Sequence, residues 1–128
     1  MKKKIIFTIL TLLNMGLIFY FSNQNGDQSN ITSGWFLNFL PFSMFVIRKT
    51  AHFTIYALLG FNSYQMYQSY DCKRCFILAL STCILYAISD EFHQSFIDDR
   101  SPQIRDVCID SCGTLFSICI LKLKDRFF

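Results

Sequence analysis

Residues 2–21 read KKKIIFTILTLLNMGLIFYF, three lysines followed by seventeen residues without a charge. At roughly 1.5 Å of rise per residue, that run makes a helix about 26 Å long, near the lower limit for crossing a bilayer core. Three further stretches repeat the pattern. Residues 50–70 hold His52 as their main ionisable group besides tyrosines, 75–89 carry no charge, and 107–121 hold only Asp110. The last two runs are short, so part of each polar flank would sit at the headgroup level. Together they predict helices over about 5–22, 48–70, 75–94 and 106–122. Between the first two lies WFLNFLPFSMF (35–45), too short to span and rich in rings that favour the membrane–water interface. The predicted fold is all-α: one transmembrane domain over 1–128, an integral membrane four-helix bundle with a short interfacial segment between helices 1 and 2.

Composition agrees. Of 128 residues, 52% are hydrophobic and 16% charged, where a soluble domain carries about 25% charge. Two prolines and five glycines exclude a collagen-like or Pro/Gly-rich disordered chain. The basic residues then give an orientation. With the N-terminus in the cytoplasm, the inner segments hold Lys2, Lys3, Lys4, Lys73, Arg74, Lys122, Lys124 and Arg126 against Asp71 and Asp125, a net +6. The outer segments and helix ends hold Arg48, Lys49, Arg100 and Arg105 against the seven remaining acids, a net −3. This bias follows the positive-inside rule, so both termini are expected on the cytoplasmic side. A cleaved signal peptide shares the basic start, but the apolar run leads into Phe21-Ser22-Asn23-Gln24 without a small-x-small cleavage site.

The six cysteines lie at 72, 75, 83, 108, 112 and 119. Cys72-Lys-Arg-Cys75 has redox-motif spacing, yet it falls in a short loop on the reducing side with no βαβ pattern around it, and reads as a turn that holds two thiols. Cys83 and Cys119 are expected to pack as small apolar groups within their helices.

Residues three, four and seven apart share a helical face. Lys49, His52, Tyr56 and Gly60 form such a stripe on the second helix. Tyr86, Asp90 and His93 form one on the third, beside Glu91 and Gln94, and Asp106, Asp110, Gly113 and Ser117 form one on the fourth. Each runs inward from the outer end of its helix. Ionisable groups within a span are costly and face a protein interior or a wet cavity. The stripes therefore predict one polar chamber open to the outer face, with residues 95–105 above it. Any one of these charges is explained by ion pairing that lets short helices pack. So many titratable groups in so short a chain point instead to function.

These residues resemble the signatures of the VanZ-like membrane proteins. RKTAHFTIYALLG (48–60) is similar to the family's first signature, and DEFHQSFIDDR (90–100) with RDVCIDSCG (105–113) to its second. FSNQ (21–24) with Ser29 resembles the polar segment after the family's first helix. Asp98-Asp99 stands where the family often has Pro-Gly, and Asp110 where it often has Asn. The resemblance implies a protein of the bacterial cell membrane acting at the outer leaflet, in cell-envelope chemistry or resistance to teicoplanin and related lipoglycopeptides. Its partners would be the lipid bilayer and a lipid-linked cell-wall precursor or lipoglycopeptide, with no nucleic acid. The expected binding residues are Lys49, His52, Tyr56, Glu91, Gln94, Arg100, Asp106 and Asp110. Lys49 and Arg100 would hold a carboxylate or phosphate, steadied by the acids.

A membrane-embedded acid–base enzyme on a lipid-linked envelope substrate is the alternative. His52 with Glu91 or Asp90 would supply its catalytic pair. A metal held by His52, His93 and two carboxylates is within reach of these residue types. No HExxH, GxSxG or P-loop motif is present, so neither a resident metal nor a cofactor is expected. A proton-coupled transporter ranks last, because four helices are few and the first carries no charge at depth.

Overall fold

The computed structural model describes residues 1–24, 31, 34–35, 43–98 and 101–127. Among these the fold is all-α, with four long helices and no strand: α1 (Lys2–Ser22), α2 (Met44–Ser69), α3 (Cys75–Gln94) and α4 (Ile104–Phe127). The third helix has its expected bounds, and the others run longer. α2 starts at Met44 because Ser43 caps it, its hydroxyl accepting the Val46 N–H at 3.4 Å. α4 continues to Phe127 through Lys122, Lys124 and Arg126, cations that suit the negative end of a helix dipole. Most of the expected interfacial stretch, residues 36–42, lies outside the described residues.

The turn between α2 and α3 is tight. Asp71 adopts a left-handed φ of 59°, tolerated by Asp, and the Cys72 N–H reaches back to the Tyr67 carbonyl at 3.2 Å. The Cys75 thiol donates to the Cys72 carbonyl at 2.9 Å, and both cysteines are free. The pair belongs to a turn, as the sequence suggests.

The chain runs up, down, up and down, and its side chains tie the helix ends together at two poles. At the first, Lys4 pairs with Asp71 at 3.9 Å and the hydroxyls of Thr8 and Tyr70 meet at 3.3 Å. Asp125 there accepts from the Tyr64 hydroxyl at 3.0 Å and the Gln68 amide at 2.8 Å. At the second, the Gln94 amide donates to Ser22 Oγ at 3.1 Å, and His93 Nε2 lies 3.3 Å from Asn23 Oδ1.

α2 is the hub, packed on α1, α3 and α4. Its contact with α4 depends on two glycines. A Cβ on Gly113 would collide with the Phe53 carbonyl oxygen, and one on Gly60 would stand 2.7 Å from Ser117 Oγ and 2.9 Å from the Thr114 carbonyl oxygen. Backbones this close let the Thr114 hydroxyl donate to the Tyr56 carbonyl at 3.2 Å. One apolar cluster gathers Ile18, Tyr56, Leu59, Cys83 and Ala87; a second, toward the first pole, gathers Tyr64, Ala79, Ile118 and Leu121. Cys83 is buried as expected, whereas Cys119 is exposed on α4 rather than packed inside it.

Polarity is distributed against the habit of a water-soluble protein. α1 buries Thr11, Asn14, Ile18 and Ser22, and exposes Ile5, Ile6, Ile9, Leu12, Leu13, Leu17 and Phe19. Asn62, Ser63, Asp90, Glu91, Gln94, Asp110 and Thr114 are also buried. α1 and α3 are each long and apolar enough to cross a membrane, and both are mostly exposed. α2 and α4, with the end of α3, carry the charges that line the second pole.

Candidate functional site

Three helices deliver ionisable groups to the second pole. α2 contributes Lys49, His52 and Tyr56 on successive turns of one face, α3 contributes Asp90, Glu91 and Gln94 from its last two turns, and α4 contributes Asp106 and Asp110 from its first two. The α2 and α4 stripes interlock in register. Lys49 Nζ forms an ion pair with Asp106, their side chains 18% and 14% exposed. One turn deeper, His52 Nδ1 lies 3.1 Å from Asp110 Oδ1, with the imidazole 22% exposed and the carboxylate fully buried. An ionised carboxylate at Nδ1 favours the tautomer that carries its proton there, which leaves Nε2 to accept or donate one.

The sequence offers Glu91 or Asp90 as the acid–base partner of His52; the carboxylate hydrogen-bonded to its ring is that of Asp110. The physical reason is the glycine contact, which brings α2 and α4 together so that their polar stripes mesh. Glu91 has a different partner, its Oε2 accepting the Gln103 N–H at 2.9 Å, which fixes the segment leading into α4. Asp90 Oδ2 accepts from the Gln94 amide at 3.4 Å. Lys49, expected to hold a carboxylate of a ligand, is already engaged by a carboxylate of the chain. Arg100, its expected companion, lies outside the described residues.

His93 faces α1, on Asn23 and with its ring 4.9 Å from that of Phe19. It does not join His52 in a metal site. Among the described residues no three His, Cys, Asp or Glu side chains are grouped to hold a metal ion.

The structure adds residues from α1. Asn14 donates its amide to the Ile55 carbonyl at 3.4 Å, Met15 offers its carbonyl to the Tyr86 hydroxyl at 2.6 Å, and Ser22 receives Gln94. The signal for them was present: Thr11, Asn14 and Ser22 recur at helical spacing on a segment otherwise made of Ile, Leu and Phe.

Four buried side-chain atoms have no hydrogen-bond partner among the described residues: Tyr56 Oη, Glu91 Oε1, Asp110 Oδ2 and Asn14 Oδ1. Three of them belong to the polar cluster. A protein leaves few such groups, because each forfeits its hydration on burial.

The VanZ/LLP1 family model matches residues 7–125, nearly the whole chain. The chain belongs to the VanZ/LLP1 family. The match covers most of each helix and every residue of the cluster. Comparison with curated proteins and with solved structures gives no match.

Proposed function

We propose that this VanZ/LLP1 protein is a multi-pass protein of the bacterial cell membrane whose four helices all span, with both termini in the cytoplasm. Its polar cluster forms an outward-facing chamber that acts at the outer leaflet, in envelope chemistry or in resistance to lipoglycopeptides of the teicoplanin class. The observation that carries this is the inverted polarity of the bundle: carboxylates, amides and hydroxyls turned inward, with isoleucines, leucines and phenylalanines turned out. In water such a surface would be an aggregation liability; in lipid it is the favourable arrangement. The excess of Lys and Arg at the opposite pole supports an outward direction for the chamber.

Susceptibility measurements test it. Expression is expected to raise the inhibitory concentration of teicoplanin and leave that of vancomycin nearly unchanged, with Glu91→Gln and Arg100→Ala abolishing the effect at equal membrane abundance. Equal susceptibility with and without the protein would overturn it.

The His52–Asp110 pair favours a second function, an acid–base enzyme acting on a lipid-linked envelope substrate. A histidine oriented by a buried carboxylate is a proton acceptor in its proper tautomer. Profiling of lipids and wall precursors separates the two, since a catalyst leaves a changed product that His52→Ala removes.

A further inference from the structure

We infer that the chamber accepts a primary ammonium group, a cationic ligand rather than an anionic one. This deepens the proposed function and rests on the chamber being the working site. Among the described residues the cluster holds four carboxylates, Asp90, Glu91, Asp106 and Asp110, against Lys49 and His52, and Arg105 is exposed. Both cations are engaged, Lys49 with Asp106 and His52 with Asp110. What is left over in the interior is acceptor capacity. Asn14 Oδ1 can only accept, Glu91 Oε1 and Asp110 Oδ2 do so when ionised, and Tyr56 Oη can also do so. Asp110 and Tyr56 are 0% exposed and Glu91 6%, so water outside the bundle does not reach these atoms freely.

A carboxylate or phosphate entering here would set acceptor against acceptor and add charge to an excess of the same sign. An ammonium supplies three N–H donors and a positive charge, which is what the buried oxygens lack. A bare metal ion fits less well: among the described residues no three His, Cys, Asp or Glu side chains group to hold one. The Tyr56 hydroxyl among those oxygens is fully buried and has no partner of its own, a position that suits a hydrogen bond to a ligand. The route in passes Lys49, His52 and Asp106, which keep part of their side chains exposed. Such an ammonium would come from a lipid headgroup or from a free amine.

The test is binding to the full chain in phosphatidylcholine nanodiscs, with dodecylammonium, dodecyltrimethylammonium, ethanolamine and inorganic phosphate as probes. Dodecylammonium is expected to bind and dodecyltrimethylammonium, equal in charge but without N–H donors, to bind at least about tenfold more weakly. Ethanolamine binding assigns a free amine; binding only of dodecylammonium, competed by added phosphatidylethanolamine, assigns a headgroup. Tyr56→Phe should weaken binding severalfold while leaving the thermal midpoint of the ligand-free protein unchanged or higher, since it removes a buried hydroxyl that has no partner. Asp125→Asn, at the opposite pole, should bind as the wild type does. Phosphate binding in preference to the amine overturns the inference, as does no amine binding in a folded protein. Amine binding by Arg100→Ala but not by the wild type also overturns it, by giving the donors to the chain's own guanidinium. If the amine fails to bind while teicoplanin susceptibility still responds to Glu91→Gln, the ligand class is wrong and the proposed function stands. If the amine binds with no change of susceptibility, the site stands and that function fails.

Discussion

The His52–Asp110 contact is the residue-scale feature with the clearest energetic consequence. Asp110 is fully buried, so its carboxylate depends on the protein for its partners. A double-mutant cycle of His52→Ala and Asp110→Asn, read from unfolding of the detergent-solubilised protein, is expected to give a coupling of roughly 1–3 kcal/mol, as for hydrogen bonds to charged groups. The same cycle on Lys4 and Asp71, an exposed pair at 3.9 Å, should give no measurable coupling. Equal values for the two pairs would deny the inner pair its special standing. The sequence made the members of the site legible, because Lys49, His52 and Tyr56, and Asp106 and Asp110, repeat at helical spacing. It did not make their pairing legible. Spacing fixes which face of one helix a residue occupies, whereas who meets whom depends on the rotation and rise of one helix against another. The sequence therefore offered Asp90 and Glu91 as partners of His52, and Asp110 emerges only with α2 and α4 docked.

Between elements, the docking of α2 on α4 sets that register, and two glycines permit it. Gly113→Ala places a methyl group against the Phe53 carbonyl and forces the helices apart, at a cost of about 1–3 kcal/mol as for other overpacked sites. Gly16, on α1, has nothing within 4 Å of a Cβ, so Gly16→Ala is expected to be neutral or to stabilise by up to about 1 kcal/mol through helix propensity. Thermal midpoints of the two variants in one detergent check the contrast; a Gly113→Ala protein as stable as the wild type would mean the close approach is not required. Loss of the proposed lipoglycopeptide effect in a Gly113→Ala protein that remains folded would further tie the proposed chamber to this register. The helices themselves were legible as four apolar runs, α3 to the residue. Their ends were less so, since hydropathy stops where charge begins but a helix does not. Ser43 caps α2 one turn before the apolar run, and α4 persists through a basic turn that the run excludes. The inward polar face of α1 went unremarked because it carries no charge, and only amides and hydroxyls mark it.

At the scale of the molecule, the two poles differ in a way that makes the orientation testable. One pole carries Lys4, Asp71, Lys122 and Asp125 in the open and gathers most of the basic residues. The other gathers acids, and there Asp90, Glu91 and Asp110 are drawn inward. An asymmetric bundle with apolar flanks has one favourable orientation when the Lys- and Arg-rich segments stay on the cytoplasmic side. Asp98, between α3 and α4, and Lys73, between α2 and α3, are both exposed and belong to opposite poles. In a background with the six cysteines replaced by alanine, Asp98→Cys should react with a membrane-impermeant maleimide in intact cells, and Lys73→Cys only after the cells are opened. The reverse pattern would turn the chamber to the cytoplasm and remove its access to the outer leaflet. Labelling of both sites in intact cells would mean that the bundle does not span, and that its exposed leucines and phenylalanines meet something other than lipid.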